Sequence, residues 1–478
     1  MRRGRRPRPA LGRDRAGPRR ARRGDRGHAG GAPAVLPRAP GQVQGARPHP
    51  RPHRDPAQER QRQGAPPPAS GAIVNDQRRN PDETAFQDAV RAFLDTHAKP
   101  LPEWEEGWGN GPDELSAGAE PTREEELSMV AAAVAFRREL FDAGFGWLTG
   151  PVAYGGAGRD QRYQELFDEV AADYELPSEA CFIVGHHIVA PTLLAWGTPE
   201  VKERYLRALY RADLLACQLF SEPEAGSDLA GVKSRGVRDG DGWRVSGQKV
   251  WTSGGHYSDI GEMLVRTDPD APKHAGLTML MVDMHDPGVE VRPLRQLTGG
   301  EAFNEVFVDD VFVPDSHVLG KPGDGWKVAM TTLGNERASM GYRTASPATD
   351  PVERLLGLIQ HFGLDGDPHI RQEFARIAIR RDVIRWTAAR AAGRGEPGAE
   401  ASIIKLMDSE NVRAIGELAG RVLGPRMTAD TGEWGTYVWA ELALSAPSRR
   451  IAGGTDEIMR NIMAERILGL PREPRPST

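Results

Sequence analysis

Residues 220–230 read Phe-Ser-Glu-Pro-Glu-Ala-Gly-Ser-Asp-Leu-Ala, and about 20 residues further on comes Gly-Gln-Lys-Val-Trp-Thr-Ser-Gly-Gly, ending at Gly255. Side chains alternate faces along a strand, so Trp251 and Ser253 point the same way. An indole plane with a hydroxyl two residues away suits a flat ring that has a polar edge. Between Ser221 and Ser227, Pro223 and Gly226 let backbone amides turn toward a ligand, and the small hydroxyls suit ring or phosphate oxygens. The plain alternative is a β-turn beside a Trp buried in a β-core.

A second candidate follows in Gly-Trp-Lys-Val-Ala-Met-Thr-Thr-Leu-Gly-Asn-Glu-Arg-Ala-Ser-Met, residues 325–340. At about 100° per residue from Trp326, Ala329, Met330, Leu333 and Met340 form one apolar stripe. Arg337 falls inside that stripe and Glu336 on its edge, whereas a solvated pair belongs on the opposite face. Inward charges are rare unless paired or functional, so a buried structural pair and a carboxylate placed for proton transfer compete here. Gly-Gly-Thr-Asp-Glu, beginning at Gly453, opens a helix: Thr455 is a good N-cap, and Asp456 and Glu457 suit the positive end of the helix dipole. His186 and His187 are adjacent on a helix, about 100° apart, and cannot chelate one ion together; packing or a substrate wall is their expected use.

The elements that must position these residues change character twice. Residues 75–213 are read as helical, with Phe86, Val90, Phe93 and Leu94 on one face before Pro100. A second helix ends near Gly144, and a third starts at Pro199. Residues 214–324 form a β-domain of short β-branched and aromatic runs ending near Pro314, cut by Asp239-Gly240-Asp241-Gly242 and Asp286-Pro287-Gly288. From 325 to 478 the helical period returns, with loops at 363–368 and near 394–398. The expected class is α+β multidomain: a helical domain, a small central β-barrel or sandwich, and a helical bundle.

The chain has 478 residues and a net charge of −5. That charge hides a division. Residues 1–70 hold 18 Arg, no Lys, four acids and 13 Pro, a balance of +14, which leaves −19 on the remainder. Such a segment cannot offset its ordering entropy by burial, so residues 1–74 are expected to be a disordered extension. Its composition matches GC-rich DNA translated upstream of the true start, with Val74 a possible GTG start. A nucleic-acid arm is less expected without Lys or aromatics, and no apolar core fits a secretory signal. No stretch approaches the roughly 18–20 uninterrupted apolar residues of a membrane span. Cys181 and Cys217 are the only cysteines, which excludes a disulfide scaffold, a cysteine-based zinc cluster and a four-cysteine iron–sulfur site and fits the cytoplasm.

Together the three motifs, in this order and spacing over residues 80–473, resemble the acyl-CoA dehydrogenases, whose helical, β, helical plan matches. The resemblance implies FAD, with Phe220, Ser221, Trp251 and Ser253 lining the flavin ring. It places Gly226 and Ser227 toward the pyrophosphate and substrate, and Thr455 and Glu457 near the adenylate part. Arg-Gln-Glu-Phe-Ala, residues 371–375, resembles the segment by which a neighbouring subunit reaches the flavin, here with Arg371 and Phe374; the usual closing Gly is Ala375. At least a dimer follows, a homodimer or homotetramer, with an acyl-CoA substrate and an electron-transfer flavoprotein as acceptor. No nucleic acid and no membrane enter as partners.

The implied reaction is α,β-dehydrogenation of an acyl thioester: a carboxylate removes the α-proton and the β-hydrogen leaves as hydride to flavin N5. Many members carry the base just before the Gly-Thr of the C-terminal motif, where this chain has Gly453. The isovaleryl- and long-chain-type members instead place a Glu before an Arg on the helix after the β-domain, matching Glu336 and Arg337. Arg337 would then shape the thioester site, the Gly453 amide would help hold the carbonyl, and the missing side chain at 453 would admit a bulky acyl group. The alternatives are a non-catalytic subunit of a heteromeric enzyme, a flavin oxidase or monooxygenase on the same fold, and a DNA-binding relative. The charge of −19 opposes the last.

Overall fold

A computed structural model describes residues 81–102, 108–115, 121–339, 349–392 and 399–472. The readings for residues 1–74, the loop near 394–398 and Met340 lie outside them.

The N-terminal helices are α1 (Pro81–His97), α2 (Arg123–Asp142), α3 (Gln161–Ala171), α4 (Ala190–Trp196) and α5 (Pro199–Arg211). A two-residue pair, β1 (Lys99–Pro100) with β2 (Tyr174–Glu175), ties the end of α1 to the loop after α3. Val90 and Leu94 of α1 are buried, with Phe86 and Phe93 packed beside them. Thr122 closes a capping box on α2, and Gly144 takes φ +88° just after it. Sequence reading singled out α1, α2 and α5 and put His186 and His187 on a helix, but did not separate out α3. The run Glu179–Trp196 has the length and composition of a membrane span, contrary to the expectation. Half of it is buried inside the fold, the pattern of a core helix, and it carries the buried His186.

His186 Nε2 lies 2.9 Å from the Leu209 carbonyl, and its ring stacks between Phe182 and Tyr210. It packs the joint between two helices, while His187 points outward.

One eight-stranded sheet follows: β3 (Ala216–Leu219), β4 (Arg235–Asp239), β5 (Gly242–Ser253), β6 (Ile260–Arg266), β7 (Leu277–Asp283), β8 (Val289–Leu294), β9 (Phe303–Pro314) and β10 (Val318–Leu319). The order is β10-β7-β6-β4-β5-β9-β8, with β3 added parallel to β6. Pairing therefore continues past Pro314. Gly240, at φ +56°, makes the β4–β5 hairpin, as its Asp-Gly pairs foretell.

The C-terminal helices are α6 (Gly325–Ser339), α7 (Pro351–His361), α8 (Pro368–Ala392), α9 (Ala401–Leu423), α10 (Val438–Arg449) and α11 (Asp456–Ile462). Helices α7, α9 and α10 bury a separate core around Trp439, Leu355 and Leu418. Helix α6 instead lies against the sheet and the N-terminal helices, where Val328 and Ala329 join the largest core.

Candidate active site

The loop after β3 is built from beneath. Glu222 and Ala225 exchange backbone hydrogen bonds of 3.0 Å, closing a tight turn. The buried Glu222 carboxylate accepts from the Lys233 and Ser234 amides, at 2.6 and 2.9 Å, and from Lys249 Nζ at 2.9 Å. Lys249 is itself fully buried and also donates to the Phe220 and Leu264 carbonyls, at 3.1 and 2.7 Å. Burial pulls the Lys249 ammonium down to about 8, against the pull of Glu222. For Glu222 burial acts upward, and the Lys249 charge and the hydrogen bonds outweigh it, holding the carboxyl below its usual range. The anchored turn leaves Gly226 and Ser227 exposed, with open space where a Cβ on Gly226 would stand.

The second segment joins the first directly: the Val250 amide donates to the Ser221 carbonyl at 2.9 Å. The register between β5 and β9 breaks between Lys249 and Thr252, and inside that break Trp251 takes φ +62°. A bulky side chain at positive φ is held by its surroundings at a cost of about 1–3 kcal/mol. The conformation leaves Trp251 61% exposed, with the Phe303 ring set edge-on to it and the ring centroids 6.1 Å apart. Thr252 is buried behind it, its carbonyl taken by Asn304 Nδ2 at 3.1 Å, and Ser253 faces out again. Trp251 is thus a displayed ring rather than core, and Ser253 shares its side.

Glu336 and Arg337 are both half-buried. The buried face of α6 runs through Gly325, Val328, Ala329 and Thr332, so Glu336 continues it one turn on. The wheel from Trp326 placed Arg337 in the stripe and Glu336 at its edge; the actual stripe is rotated toward Glu336. Thr332 is the reason: its hydroxyl donates to Glu262 Oε1 at 2.8 Å, which lets a polar residue occupy the buried line. Burial raises the Glu336 carboxyl, while Arg337, the Gln218 side chain and Lys405 act the other way. Burial lowers Arg337, opposed by Glu336 and reinforced by Arg466. Gln218 is on β3, two residues before Phe220.

At the C-terminal motif Thr455 caps α11, accepting from the Ile458 amide at 3.3 Å. Asp456 is not the solvated dipole partner its position suggests. It is buried and takes Arg450 Nε at 2.6 Å and Ser409 Oγ at 3.1 Å, with Lys405 Nζ at 3.6 Å. Glu457 is exposed. Gly453 and Gly454 have φ +66° and +95°, the left-handed region that a Glu side chain disfavours.

The structure therefore links Phe220, Ser221, Trp251 and Ser253 through Lys249 and the Val250 amide. It does not bring Arg371 and Phe374 to them. Arg371 donates to the Asp365 carbonyl at 3.0 Å, and Phe374 packs against the core of the C-terminal bundle. Sequence reading missed Gln218, Glu222, Lys249, Glu262, Lys405 and the buried role of Asp456. A lone charge inside an apolar run marks Glu262 and Lys405, but nothing local names their partners.

The displayed indole, the neighbouring hydroxyl and the open glycine turn fit a flavin nucleotide. On α6 stands a half-buried carboxylate whose proton affinity burial has raised, the property a general base requires.

Family models match in the same order: acyl-CoA dehydrogenase N-terminal domain over residues 80–213, middle domain over 217–311 and C-terminal domain over 323–468. The chain is 41% identical over 362 residues to "Acyl-CoA dehydrogenase FadE34" of Mycobacterium tuberculosis, covering 74% of this chain and 49% of that one. It spans about half the length of that relative. Among solved structures, the ChsE4-ChsE5 complex from Mycobacterium tuberculosis superposes with TM-score 0.64 at 27% identity, over 83% of this chain and 99% of that one. The "Tcur3481-Tcur3483 steroid ACAD" superposes with TM-score 0.63 at 26% identity, over 83% and 99%.

Proposed function

This chain belongs to the acyl-CoA dehydrogenase family, and we propose that it introduces the α,β double bond of an acyl-CoA thioester with Glu336 as the base. The observation that carries the base assignment is the placement of Glu336 on the buried line of α6, where burial raises its proton affinity. FAD, when bound, would supply the acceptor for the hydrogen that leaves the β-carbon.

The chain's own residues do the rest. Glu336 takes the α-proton, and its half-burial raises its proton affinity toward what a weakly acidic α-carbon needs. Arg337 keeps a positive charge beside it. The backbone of the Gly453–Gly454 turn offers amides to a thioester carbonyl, where fixed donors stabilise developing negative charge. The Glu222–Lys249 pair fixes the turn carrying Gly226 and Ser227. Trp251 and Ser253 would line the flavin ring, and Thr455 and Glu457 would hold the adenylate part. Arg371 and Phe374 are left to serve the site of a neighbouring subunit, which makes the working unit at least a dimer.

For the substrate we propose a bulky acyl group. The missing side chain at Gly453 gives it room, and a structural neighbour is a steroid ACAD. Assembly with a second, related chain is the proposal for the oligomer, since another neighbour is a two-protein complex. An electron-transfer flavoprotein remains the proposed acceptor. Anaerobic mixing with straight-chain, branched and steroid-type acyl-CoAs tests the reaction and the substrate together. Bleaching by bulky thioesters and not by short straight ones is the expected result.

A further inference from the structure

A bulky residue disfavours positive φ, so the surroundings of Trp251 must supply the restraint that keeps it there. Around it β5 carries two residues, Val250 and Trp251, where β9 carries one. Val250 is pinned on one side by its amide's bond to the Ser221 carbonyl. Thr252, on the other side, is buried, and its hydroxyl has no hydrogen-bond partner among the described residues. Its carbonyl is held instead by Asn304, wholly buried on β9 and paired with it in register, whose Nδ2 donates at 3.1 Å.

Asn304 is itself held from α2. An arginine only donates and a backbone carbonyl only accepts, which fixes which way the amide points. Its Oδ1 accepts from Arg123 Nη2 at 2.6 Å, and its Nδ2 faces the Thr252 carbonyl. Nδ2 also reaches His256 Nδ1 at 3.2 Å and the Ala302 carbonyl at 3.3 Å. His256 Nδ1 therefore accepts, which leaves the ring proton on Nε2, 3.1 Å from Glu126 Oε2. Arg123 and Glu126 are three residues apart on α2 and share one face, and the Thr122–Glu125 capping box fixes that turn. Arg123 buries its Nε without a partner among the described residues to reach Asn304, a cost that calls for a reason.

We infer that Asn304 is a positioning residue of the flavin site: with Arg123 and the His256–Glu126 pair it fastens the first turn of α2 to the Thr252 carbonyl and so holds Trp251 on display. This rests on the reading of Trp251 as a residue that lines the flavin ring. Asn304 acts through Thr252 and needs no contact with the cofactor. The N-terminal helical domain thereby sets the shape of a surface that the β-domain supplies.

The test uses the full chain with fluorine-labelled tryptophan, as wild type, Asn304→Asp and Arg123→Met. Trp251→Phe and Trp439→Phe identify two fluorine resonances, and the dissociation constant for FAD and the thermal midpoint are measured on each protein. Asn304→Asp keeps an oxygen for Arg123 and turns the donor aimed at the Thr252 carbonyl into an acceptor. The expected result is that the Trp251 resonance moves while that of buried Trp439 stays. The dissociation constant for FAD rises roughly tenfold, the size of one buried hydrogen bond lost. Arg123→Met moves the same resonance in the same direction by less. A merely structural asparagine would lower the thermal midpoint and leave the Trp251 resonance and the FAD affinity at their wild-type values. Either value unchanged overturns the inference, as does a shift of both resonances together. Should Asn304→Asp not fold, Arg123→Met decides by the same two readings. If Trp251→Ala binds FAD as tightly as wild type, it is the reading of Trp251 that falls. The Trp251 resonance alone then decides whether Asn304 holds the indole: movement upholds it, and an unmoved resonance overturns it.

Discussion

Lys249 Nζ lies 2.9 Å from Glu222 Oε1 beneath the Phe220–Ser227 loop, with the lysine fully buried and spending its other donors on two carbonyls. Removing one partner strands the other as an uncompensated buried charge. Lys249→Met should therefore destabilise the protein by about 3–5 kcal/mol, measured by denaturant unfolding. It should also release flavin, because the Phe220 carbonyl and the Glu222 turn lose their anchor. A variant as stable as wild type would show that the pair holds nothing.

Trp251 and Trp439 give a matched contrast. Trp439 is wholly buried in the C-terminal core, so Trp439→Ala should cost about 3–5 kcal/mol. Trp251 is displayed at a strained φ, so Trp251→Ala should cost little stability while weakening flavin retention, measured as flavin released on dilution. Equal losses of stability would return Trp251 to the core.

Glu262 provides a pH test. Burial pushes its carboxyl up to about 8, with only the Thr332 hydrogen bond opposing. The unfolded chain releases this proton near the ordinary carboxylate range, whereas the folded chain holds it until about pH 8. Its contribution to stability is therefore complete below the unfolded value and is lost as pH rises through the folded one. Glu262→Gln cannot titrate, so the fall in unfolding free energy between pH 5 and 8 should shrink by a few kcal/mol. An unchanged fall would place the proton elsewhere.

Gly453 has φ +66°, which carries its own prediction. Gly453→Ala should cost about 1 kcal/mol through backbone conformation alone, read in the thermal midpoint. It should also slow bulky acyl-CoAs more than small ones. No change in midpoint would mean that the left-handed turn is absent.

What the sequence discloses, and what it does not, follows from range. Trp251, Ser253, Ser227 and Thr455 are legible because turn chemistry, strand alternation and capping act over two or three residues. The pairs Glu222–Lys249, Glu262–Thr332 and Lys405–Asp456 bridge 27, 70 and 51 positions, and no local rule couples them. The phase of α6 was misjudged for the same reason: Thr332 looks like a surface residue until Glu262, on a strand 70 positions earlier, accepts its hydrogen bond. Four strands were legible as β-branched runs. Short β3, β4 and β10 and the Glu-bearing β6 gain their pairing only from neighbours distant in the chain.

The central claim is that Glu336 removes the α-proton. The most direct measurement is anaerobic titration of the flavin-loaded wild type and Glu336→Gln with a panel of acyl-CoAs, following the visible spectrum. Bleaching in wild type, with an unreduced flavin that still binds the thioester in Glu336→Gln, is the predicted result. Bleaching at a comparable rate in both proteins would contradict it and move the base to another residue.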